Sequence, residues 1–542
     1  MNKKIILIPL IILIFTTLFF SLQKPQPITE NPLPNNNTVL ADVKTETICT
    51  DKIDNDEDGL IDNEDGDCWI KEGPIYETHP YYYPNHSFKE ITNDIPRIAD
   101  LGAKTIYILP IWHHEPLPAE GKKYRYGMIY HILDYYSISP EFGTEQELKE
   151  IVDTAHQYGT KVIFDLVTCC TFEDSVPYKR DWVLETSLSE LKAKKISLDY
   201  KIIDDIKYVY SNCDIDTNEG LQSKCDLLGR IDGDKVKLFI YPSPGYGYAT
   251  DKTNPKAIEY FVNAAKYYVE EYGIDGWRID APANAWNPHI VGGDHSALPL
   301  LRKAKQAISE IKPEAVFLSE HSSLYPLTEN PAQHFDEISE ISYGTNLYEQ
   351  LPFLIKNTIP GDLIKALADE RVEYNRARLR FTETHDYPRV NTIPNLSKPT
   401  VVLISTIPGV PMIQAGQEIG AAGKFTSDAP VNWLSGDREM EMFYEKVFSV
   451  RNTSNPLKYG DIKNVWKSGD NVFAYSRTYE NETAVVAINF QDKAATSVLN
   501  LPFKSGTVLS DELNNENLTV SDPSNFMVSV PAYGSKILTI KR

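Results

Sequence analysis

The segment GIDGWRID, residues 273–280, predicts a buried strand that ends in a carboxylate. Two further segments have the same form: AVFLSE, residues 315–320, ends in Glu320, and FTETHD, residues 381–386, ends in Asp386. Each segment begins with apolar, β-branched or aromatic residues, which is typical of a parallel strand covered on both faces. Strands of this kind, each with an acid at its C-terminal end, indicate a parallel barrel whose functional groups meet at that end.

Strand-like and helix-like segments alternate on both sides of these three, between about residues 70 and 455. The helix signals include a capping box formed by Thr144 and Glu147, and helix-ending glycines at positions 102 and 159. Eight such cycles predict an α/β fold, a (β/α)8 TIM barrel. The predicted strands are PIYETHP (74–80), AKTIYILPIW (103–112), TKVIFDLV (160–167), GIDGWRID (273–280), AVFLSE (315–320), FDEISEIS (335–342), LRFTETHD (379–386) and GVPMIQAG (409–416).

Two regions depart from the alternation. Residues from about 169 to 245 lose it and predict a domain inserted after the third strand. Residues 456–542 contain short strands without helices, such as TAVVAINF (483–490), and predict a C-terminal all-β sandwich domain.

The N-terminal end predicts passage across a membrane. Residues 1–22 contain a long apolar run after two lysines, which is either a signal peptide or an N-terminal membrane anchor. Residues 23–45 are rich in Pro and Asn and form a linker. The expected location is therefore extracytoplasmic, with the protein either secreted or anchored to the outer face of the cell membrane.

The six cysteines of a translocated chain favour disulfides. The simplest pairing joins Cys49 to Cys68 and Cys213 to Cys225. Cys169 and Cys170 are adjacent, and a strained vicinal disulfide and two buried thiols are the alternatives.

The charge and the aromatic content limit the class of partner. The net charge is −22, which argues against a nucleic-acid partner and suits a neutral substrate. The chain has 32 Tyr and 7 Trp residues, and aromatic rings can stack on sugars, although core packing accounts for most of them.

An acidic, Cys-bracketed segment lies at residues 46–69. Its carboxylates are spaced as in an EF-hand loop, where alternate acids and a turn glycine form an oxygen cage for Ca²⁺. The alternative is an acidic spacer closed by a disulfide. In either case the segment is structural and catalysis needs no cofactor. The candidate calcium ligands are Asp54, Asp56, Asp58, Asp62 and Asp65.

From about residue 73 onward, the chain resembles the α-amylase family of glycoside hydrolases. The resemblance depends on four motifs in order, together with IYHILDYYSISPEFGT (129–144), which is similar to the family segment that places a Tyr beside the sugar. It implies that the inserted domain is the family's domain B. The four motifs are FDLVTCC (164–170), GIDGWRID (273–280), LSE (318–320) and FTETHD (381–386).

The residue types suit retaining glycoside hydrolysis, which needs a nucleophile and a separate acid. Asp280 is the expected nucleophile, and Arg278 on the same strand face is expected to lower its pKa. Glu320 is the expected general acid and base, which requires a raised pKa. Asp386 is expected to hold the sugar and stabilise the transition state. Substrate contacts or support are expected from Arg278, His385, Tyr130 and Asp165.

Some positions depart from the family pattern. Cys169 and Cys170 stand where the family usually has Asn and His, so the family calcium site beside domain B and one sugar contact are in doubt. Ala283 and Asn284 replace a Lys-His pair, and His131 replaces the Asp that usually follows the stacking Tyr. These changes are expected to alter substrate binding and to leave the chemistry intact.

The resemblance implies a retaining α-glycosidase that hydrolyses α-1,4-linked glucans or maltooligosaccharides through a covalent intermediate. An α-glucan transglycosylase and a non-catalytic carbohydrate-binding protein on the same scaffold are the alternatives. The enzyme hypothesis requires that Asp280, Glu320 and Asp386 converge on one cleft.

Overall fold

A computed structural model describes the chain over thirteen ranges, all within one compact unit that begins at Asp42. The N-terminal hydrophobic run, most of the predicted linker, Cys213, Cys225, Ala283 and Asn284 lie outside these ranges. The described residues are 44–46, 48–114, 128–194, 197–203, 205–211, 226–240, 247–282, 296–320, 335–344, 376–390, 395–422, 430–467 and 472–541.

The first part of the chain forms strands that alternate with helices. Capping boxes at Ser87 and Thr144 begin the two long helices, as the Thr144 pattern predicts. The helices are α1 (Gly66–Trp69), α2 (Phe88–Asp100) and α3 (Glu145–Gln157). The strands are β1 (Ile75–Thr78), β2 (Thr105–Ile108), β3 (Trp112–His114), β4 (Ile132–Ile138) and β5 (Lys161–Val167).

An inserted region follows β5. It contains a five-stranded antiparallel sheet in the order β7-β11-β10-β9-β8 and a separate pair, β6 with β12. A small apolar core that includes Leu191, Val209 and Leu238 packs within it. Its elements are β6 (Cys170–Thr171), α4 (Val176–Lys179), β7 (Glu185–Ser187), α5 (Leu188–Ala193), β8 (Leu198–Ile203), β9 (Ile206–Ser211), β10 (Asp226–Asp232), β11 (Lys235–Leu238) and β12 (Tyr248–Ala249).

The alternation then resumes. Asn254 caps the next helix, and Gly273, with a positive φ of 74°, ends it. The helices are α6 (Pro255–Tyr272), α7 (Leu298–Ser309), α8 (Ser397–Thr406), α9 (Arg438–Asn452) and α10 (Asn455–Tyr459). The strands are β13 (Gly276–Asp280), β14 (Val316–Ser319), β15 (Ile341–Tyr343), β16 (Ala377–Arg380) and β17 (Val410–Gln414).

Eight parallel strands close into a barrel in the order β1-β17-β16-β15-β14-β13-β5-β2. Their side chains are mostly buried, and Trp277 in β13 and Tyr76 in β1 are fully enclosed. Gly276 allows β13 to approach β14, because a Cβ there would lie 2.1 Å from the Val316 carbonyl oxygen. The predicted TIM barrel with an insertion after its third strand is confirmed.

Two predicted strands are wrong in extent. The segment 335–342 begins as a 3-10 helix (Phe335–Glu337), because Asp336 forms a buried ion pair with Arg378 at 2.6 Å. The segment 379–386 stays extended only to Arg380. Beyond it, Glu383 accepts a hydrogen bond from Arg389 at 2.7 Å, which holds the chain in a loop.

The C-terminal region is all β, as predicted. A six-stranded sheet in the order β18-β19-β20-β25-β22-β23 and the pair β21-β24 enclose an apolar core. The strands are β18 (Asp461–Lys467), β19 (Val472–Tyr479), β20 (Glu482–Asn489), β21 (Ala495–Leu499), β22 (Val508–Asp511), β23 (Glu516–Thr519), β24 (Phe526–Val530) and β25 (Ser535–Ile540).

Within the described residues, we find no helix that is both long enough and apolar enough to span a membrane.

Candidate active site

The two central acids lie at the C-terminal ends of neighbouring barrel strands. Asp280 is the last residue of β13, and Glu320 directly follows Ser319, the last residue of β14. The parallel register pairs Ile279 with Ser319, so both acids emerge at the same end of the barrel. This is the end at which barrel enzymes place their catalytic groups.

A buried guanidinium joins three carboxylates at this end. Arg278 lies 2.7 Å from Asp280, 3.3 Å from Glu320 and 3.0 Å from Asp165. Asp165 is in β5 and is fully buried. Arg278 therefore fixes the positions of acids from three adjacent strands.

The electrostatics of Asp280 differ from the expectation. Burial raises the pKa of Asp280 to about 7, although Arg278 acts in the opposite direction. The nearby Glu320 and Asp165 carboxylates add to the increase. Arg278 thus acts in the predicted direction, but the desolvation cost is the larger effect, so the pKa of Asp280 is raised in the free protein.

Glu320 is held by the backbone of the turn after β13. The Ala281 N–H donates a hydrogen bond to Glu320 Oε2 at 2.5 Å. Ala281 has a positive φ of 40°, which is unusual for a residue with a Cβ and is found at functional sites. The Glu320 side chain is 24% exposed and that of Asp280 is 14% exposed, so both side chains are partly accessible to solvent.

A chain of polar contacts leads from this cluster to Asp386. The Tyr130 hydroxyl lies 3.0 Å from Asp165 Oδ2 and 2.7 Å from His385 Nε2. His385 Nε2 in turn lies 3.4 Å from Asp386 Oδ2. The Asp386 side chain is 43% exposed, so it reaches out of the loop beyond β16 toward solvent. The structure thus brings all seven predicted active-site residues into one network.

His385 is charged in this network. Burial lowers its pKa, but the carboxylates of Asp386 and Glu77 outweigh that effect and raise the pKa of His385 to about 9. As an imidazolium, His385 donates from Nδ1 to Glu77 Oε2 at 3.1 Å and from Nε2 to Tyr130. Tyr130 also stacks on His385, with 5.8 Å between the ring centroids.

Three residues of the network were not among the predicted site residues. Glu77 in β1 accepts from the His385 backbone N–H at 2.9 Å, and Tyr107 in β2 donates to Asp165 at 2.5 Å. In the sequence, Glu77 could have been recognised as a charged residue inside the predicted strand PIYETHP (74–80). Cys169, considered only as a lost ligand, donates its thiol to Asp280 Oδ2 at 3.4 Å.

The adjacent cysteines are free thiols, with Cys169 buried and Cys170 half-buried. The hydrogen bond between the two cysteines and burial raise the pKa of Cys169, so it stays protonated and donates to Asp280. The predicted disulfide between Cys49 and Cys68 is confirmed.

The acidic segment is separate from this network. Asp56, Asp58 and Asp65 bring carboxylate oxygens within 4.8 Å of one another, and so do Glu46, Asp54 and Asp56. Asp62 belongs to a third group, with Asp51 and the same Glu46. Glu46 precedes the predicted loop and was not a predicted ligand.

The closeness of these carboxylates to one another changes their pKa values. Burial and the neighbouring carboxylates raise the pKa of Asp56 to about 6 and that of Asp65 to about 7. Asp54 differs, because backbone N–H groups of Asp58 and Gly59 donate to it and lower its pKa against the effect of burial.

A closed parallel barrel with acids at the C-terminal ends of its strands has the architecture of a barrel enzyme. The sequence profile described as "Alpha amylase, catalytic domain" matches residues 65–202 and 248–495. A second profile, "Maltogenic Amylase, C-terminal domain", matches residues 464–537. The chain therefore belongs to the α-amylase family of glycoside hydrolases.

Curated relatives agree with this assignment. A cyclomaltodextrinase from Thermoanaerobacter pseudethanolicus is 25% identical over 434 residues, which cover 76% of this chain and 64% of that protein. A maltogenic alpha-amylase from Bacillus acidopullulyticus is 24% identical over 480 residues, which cover 84% of this chain and 69% of that protein. The chain thus spans about two thirds of the length of these relatives.

Solved structures show the same fold. A noncanonic maltogenic alpha-amylase from Thermotoga neapolitana aligns with a TM-score of 0.64 and 20% identity, covering 87% of this chain and 99% of that one. An alpha-amylase from H. orenii aligns with a TM-score of 0.65 and 19% identity, covering 87% and 100%.

Proposed function

We propose that this protein is a retaining α-glycosidase that hydrolyses α-1,4-linked glucans or maltooligosaccharides. The observation that supports this most strongly is the contact of Arg278 with both Asp280 and Glu320. Retention requires two carboxyl groups about 5–5.5 Å apart. Two acids that contact one guanidinium from adjacent strand ends are held at a short separation suited to this chemistry.

In the first step, ionised Asp280 attacks the anomeric carbon of the bound sugar. Protonated Glu320 donates its proton to the glycosidic oxygen as the bond from that oxygen to the anomeric carbon breaks. The leaving saccharide departs with a new hydroxyl group, and an ester joins the remaining sugar to Asp280. Arg278 keeps the attacking carboxylate in position.

In the second step, the Glu320 carboxylate removes a proton from water, which attacks the anomeric carbon. The ester bond to Asp280 breaks, so both acids return to their starting states. The Asp386 carboxylate and the His385 imidazolium contact sugar hydroxyls, and Tyr130 presents a ring face beside them. The loss of one sugar contact at Cys170 is compatible with this scheme.

The substrate class follows from the relatives. They are named as a cyclomaltodextrinase and a maltogenic alpha-amylase, and these names support a maltooligosaccharide, linear or cyclic, as the substrate. We expect the chain to act on linear and cyclic maltooligosaccharides. Product analysis with and without an added acceptor sugar separates hydrolysis from transglycosylation, because transfer yields products longer than the substrate.

The test of the mechanism uses Glu320→Gln and Asp280→Asn. We expect each variant to remain folded and to lose activity by about 10²–10⁴-fold or more, since each removes a chemical role from the site. A fluorinated α-glycosyl fluoride should label Asp280 in the wild type, as read by mass spectrometry of peptides. Wild-type rates in Glu320→Gln, or a label on another residue, would refute the assignment.

We also propose that the protein works outside the cytoplasm, secreted or held at the outer face of the membrane. The Cys49–Cys68 disulfide supports this location, since such bonds persist in oxidising compartments. Fractionation of cells that express the full chain tests it, and activity confined to the cytosol would contradict it.

A further inference from the structure

The acidic segment packs at the end of the barrel opposite to the active site. The Trp69 indole N–H donates to the Glu314 carbonyl at 2.9 Å, just before β14 begins. Asp67 forms a buried ion pair with Arg376, the residue before β16. The segment therefore contacts the N-terminal ends of barrel strands, where structural contributions to stability are concentrated.

Among the residues that the structure describes, two buried carboxylate oxygens in this segment have no hydrogen-bond partner. They are Oε1 of Glu46, whose residue is 0% exposed, and Oδ2 of Asp65, whose residue is 3% exposed. An unsatisfied polar group inside a protein costs about 1–3 kcal/mol, and more if it is charged. A bound cation would satisfy these oxygens by accepting their lone pairs.

Both oxygens belong to residues that meet at Asp56. Glu46 and Asp54 form one group with it, and Asp58 and Asp65 form a second group with it. Within each group the oxygens lie within 4.8 Å of one another. Calcium binds oxygen at about 2.3–2.6 Å, so two ligands on opposite sides of one ion are separated by about twice that distance.

We propose that this segment binds one Ca²⁺ ion through Asp56, Asp58, Asp65 and Glu46. Glu46 lies outside the EF-hand-like spacing and supplies a carboxylate that the loop alone lacks. Asp54 shapes the loop instead, since its carboxylate accepts hydrogen bonds from the Asp58 and Gly59 N–H groups.

The proposed ligands are connected to the barrel through Asp67. The Asp67 N–H donates to Asp65 Oδ1 at 2.5 Å, and the Glu46 N–H donates to Asp67 Oδ2 at 3.2 Å. Asp67 then pairs with Arg376 at the barrel. Calcium therefore fastens the segment to this end of the barrel and raises stability without taking part in catalysis.

The test compares Glu46→Gln and Asp56→Asn with Glu64→Gln, a control at an exposed acid of the same segment that belongs to none of the three groups. We expect calorimetric titration of the chelator-treated full chain to show one Ca²⁺ per molecule. Glu46→Gln and Asp56→Asn should each bind Ca²⁺ at least ~10-fold more weakly than the wild type does. The control, Glu64→Gln, should bind Ca²⁺ as the wild type does.

The melting temperature gives the second measurement. Added Ca²⁺ should raise it in the wild type and in Glu64→Gln, and the increase should be lost in the other two variants. Initial rates on maltooligosaccharides at 25 °C should be the same with Ca²⁺ and with chelator. Absence of binding, equal effects of Mg²⁺, or unchanged affinity in Glu46→Gln would overturn the proposal and leave the hydrolase assignment unaffected.

Discussion

At the scale of single residues, Asp280 is subject to opposing influences. Its carboxylate is mostly buried, which favours the neutral form, while Arg278 at 2.7 Å and the Cys169 thiol at 3.4 Å favour the charged form. Burial is the largest effect, so the pKa lies near 7. A nucleophile that must be ionised is then sensitive to pH in the neutral range.

The pH profile of kcat/KM reflects this environment. A raised pKa means that Asp280 is protonated below about 7 and ionised above it. We therefore expect kcat/KM to fall as the pH decreases through about 7, measured by initial rates on a soluble maltooligosaccharide. A profile that stays flat down to pH 5 would contradict the environment that we assign to Asp280.

Cys169 provides a matched test of this environment. A hydrogen bond donated to the ionised form lowers the pKa of a carboxylate. Cys169→Ala removes the donor, so the acidic limb of the kcat/KM profile should move to higher pH, whereas Cys169→Ser should keep it in place. Identical profiles for Cys169→Ala and the wild type would exclude a positioning role for the thiol.

At the scale of elements, strand β13 has an active-site residue at one end and a buried, ion-paired residue just before the other end. Its C-terminal end presents Asp280, and Asp275 precedes its N-terminal end. Asp275 is fully buried and contacts His156 at 2.7 Å, Lys312 at 2.8 Å and Lys161 at 3.3 Å. The Asp275 carboxylate therefore connects helix α3, the loop before strand β14 and strand β5.

Substitution of Asp275 should destabilise the fold. Burial raises its pKa, but His156, Lys312 and Lys161 outweigh it and hold the pKa of Asp275 below its ordinary value. Asp275→Asn should cost about 1–3 kcal/mol, because it removes the buried carboxylate that pairs with the partly exposed side chains of Lys312, His156 and Lys161. The measurement is the free energy of unfolding in urea at pH 7.

The loss of stability in Asp275→Asn should depend on pH. A lowered folded-state pKa stabilises the fold above the unfolded value of about 3.9, and this stabilisation is lost as the pH falls below it. The difference between Asp275→Asn and the wild type should therefore shrink below about pH 4. Asp153→Asn, at an exposed acid of α3, is the control and should change stability by less than about 1 kcal/mol. Equal losses in both variants would contradict the prediction.

At the scale of the whole molecule, the two ends of the barrel have different roles. The C-terminal strand ends hold the acids, and the N-terminal ends contact the acidic segment that the Cys49–Cys68 disulfide closes. The bond closes a loop with a sequence separation of 19 residues. Its effect on stability should be separable from catalysis.

Removal of this disulfide should lower stability with little effect on the chemistry. Replacing Cys49 and Cys68 together with Ala should cost about 3 kcal/mol, as expected for a loop of this length. The melting temperature should fall, while kcat at 25 °C should remain that of the wild type. A large loss of kcat at a temperature where the variant is folded would show that the acidic segment acts on the active site.

The sequence alone predicted the barrel, the insertion, the C-terminal β domain and the acids at the strand ends, and the resemblance to the α-amylase family added Tyr130. The sequence could do so because strand periodicity, helix caps and acids at strand ends are local patterns. It placed the end of β16 wrongly, because the Glu383–Arg389 pair that holds the following loop does not appear in a local pattern.

Tertiary structure decided the environments of those residues. The burial that raises the pKa of Asp280, the Glu77 carboxylate that keeps His385 charged and the approach of Glu46 to the calcium candidates all depend on contacts between distant parts of the chain. Desolvation and Coulomb interactions act through space. Residue types and spacing therefore specify which groups are present, and only the closed barrel specifies which of them meet.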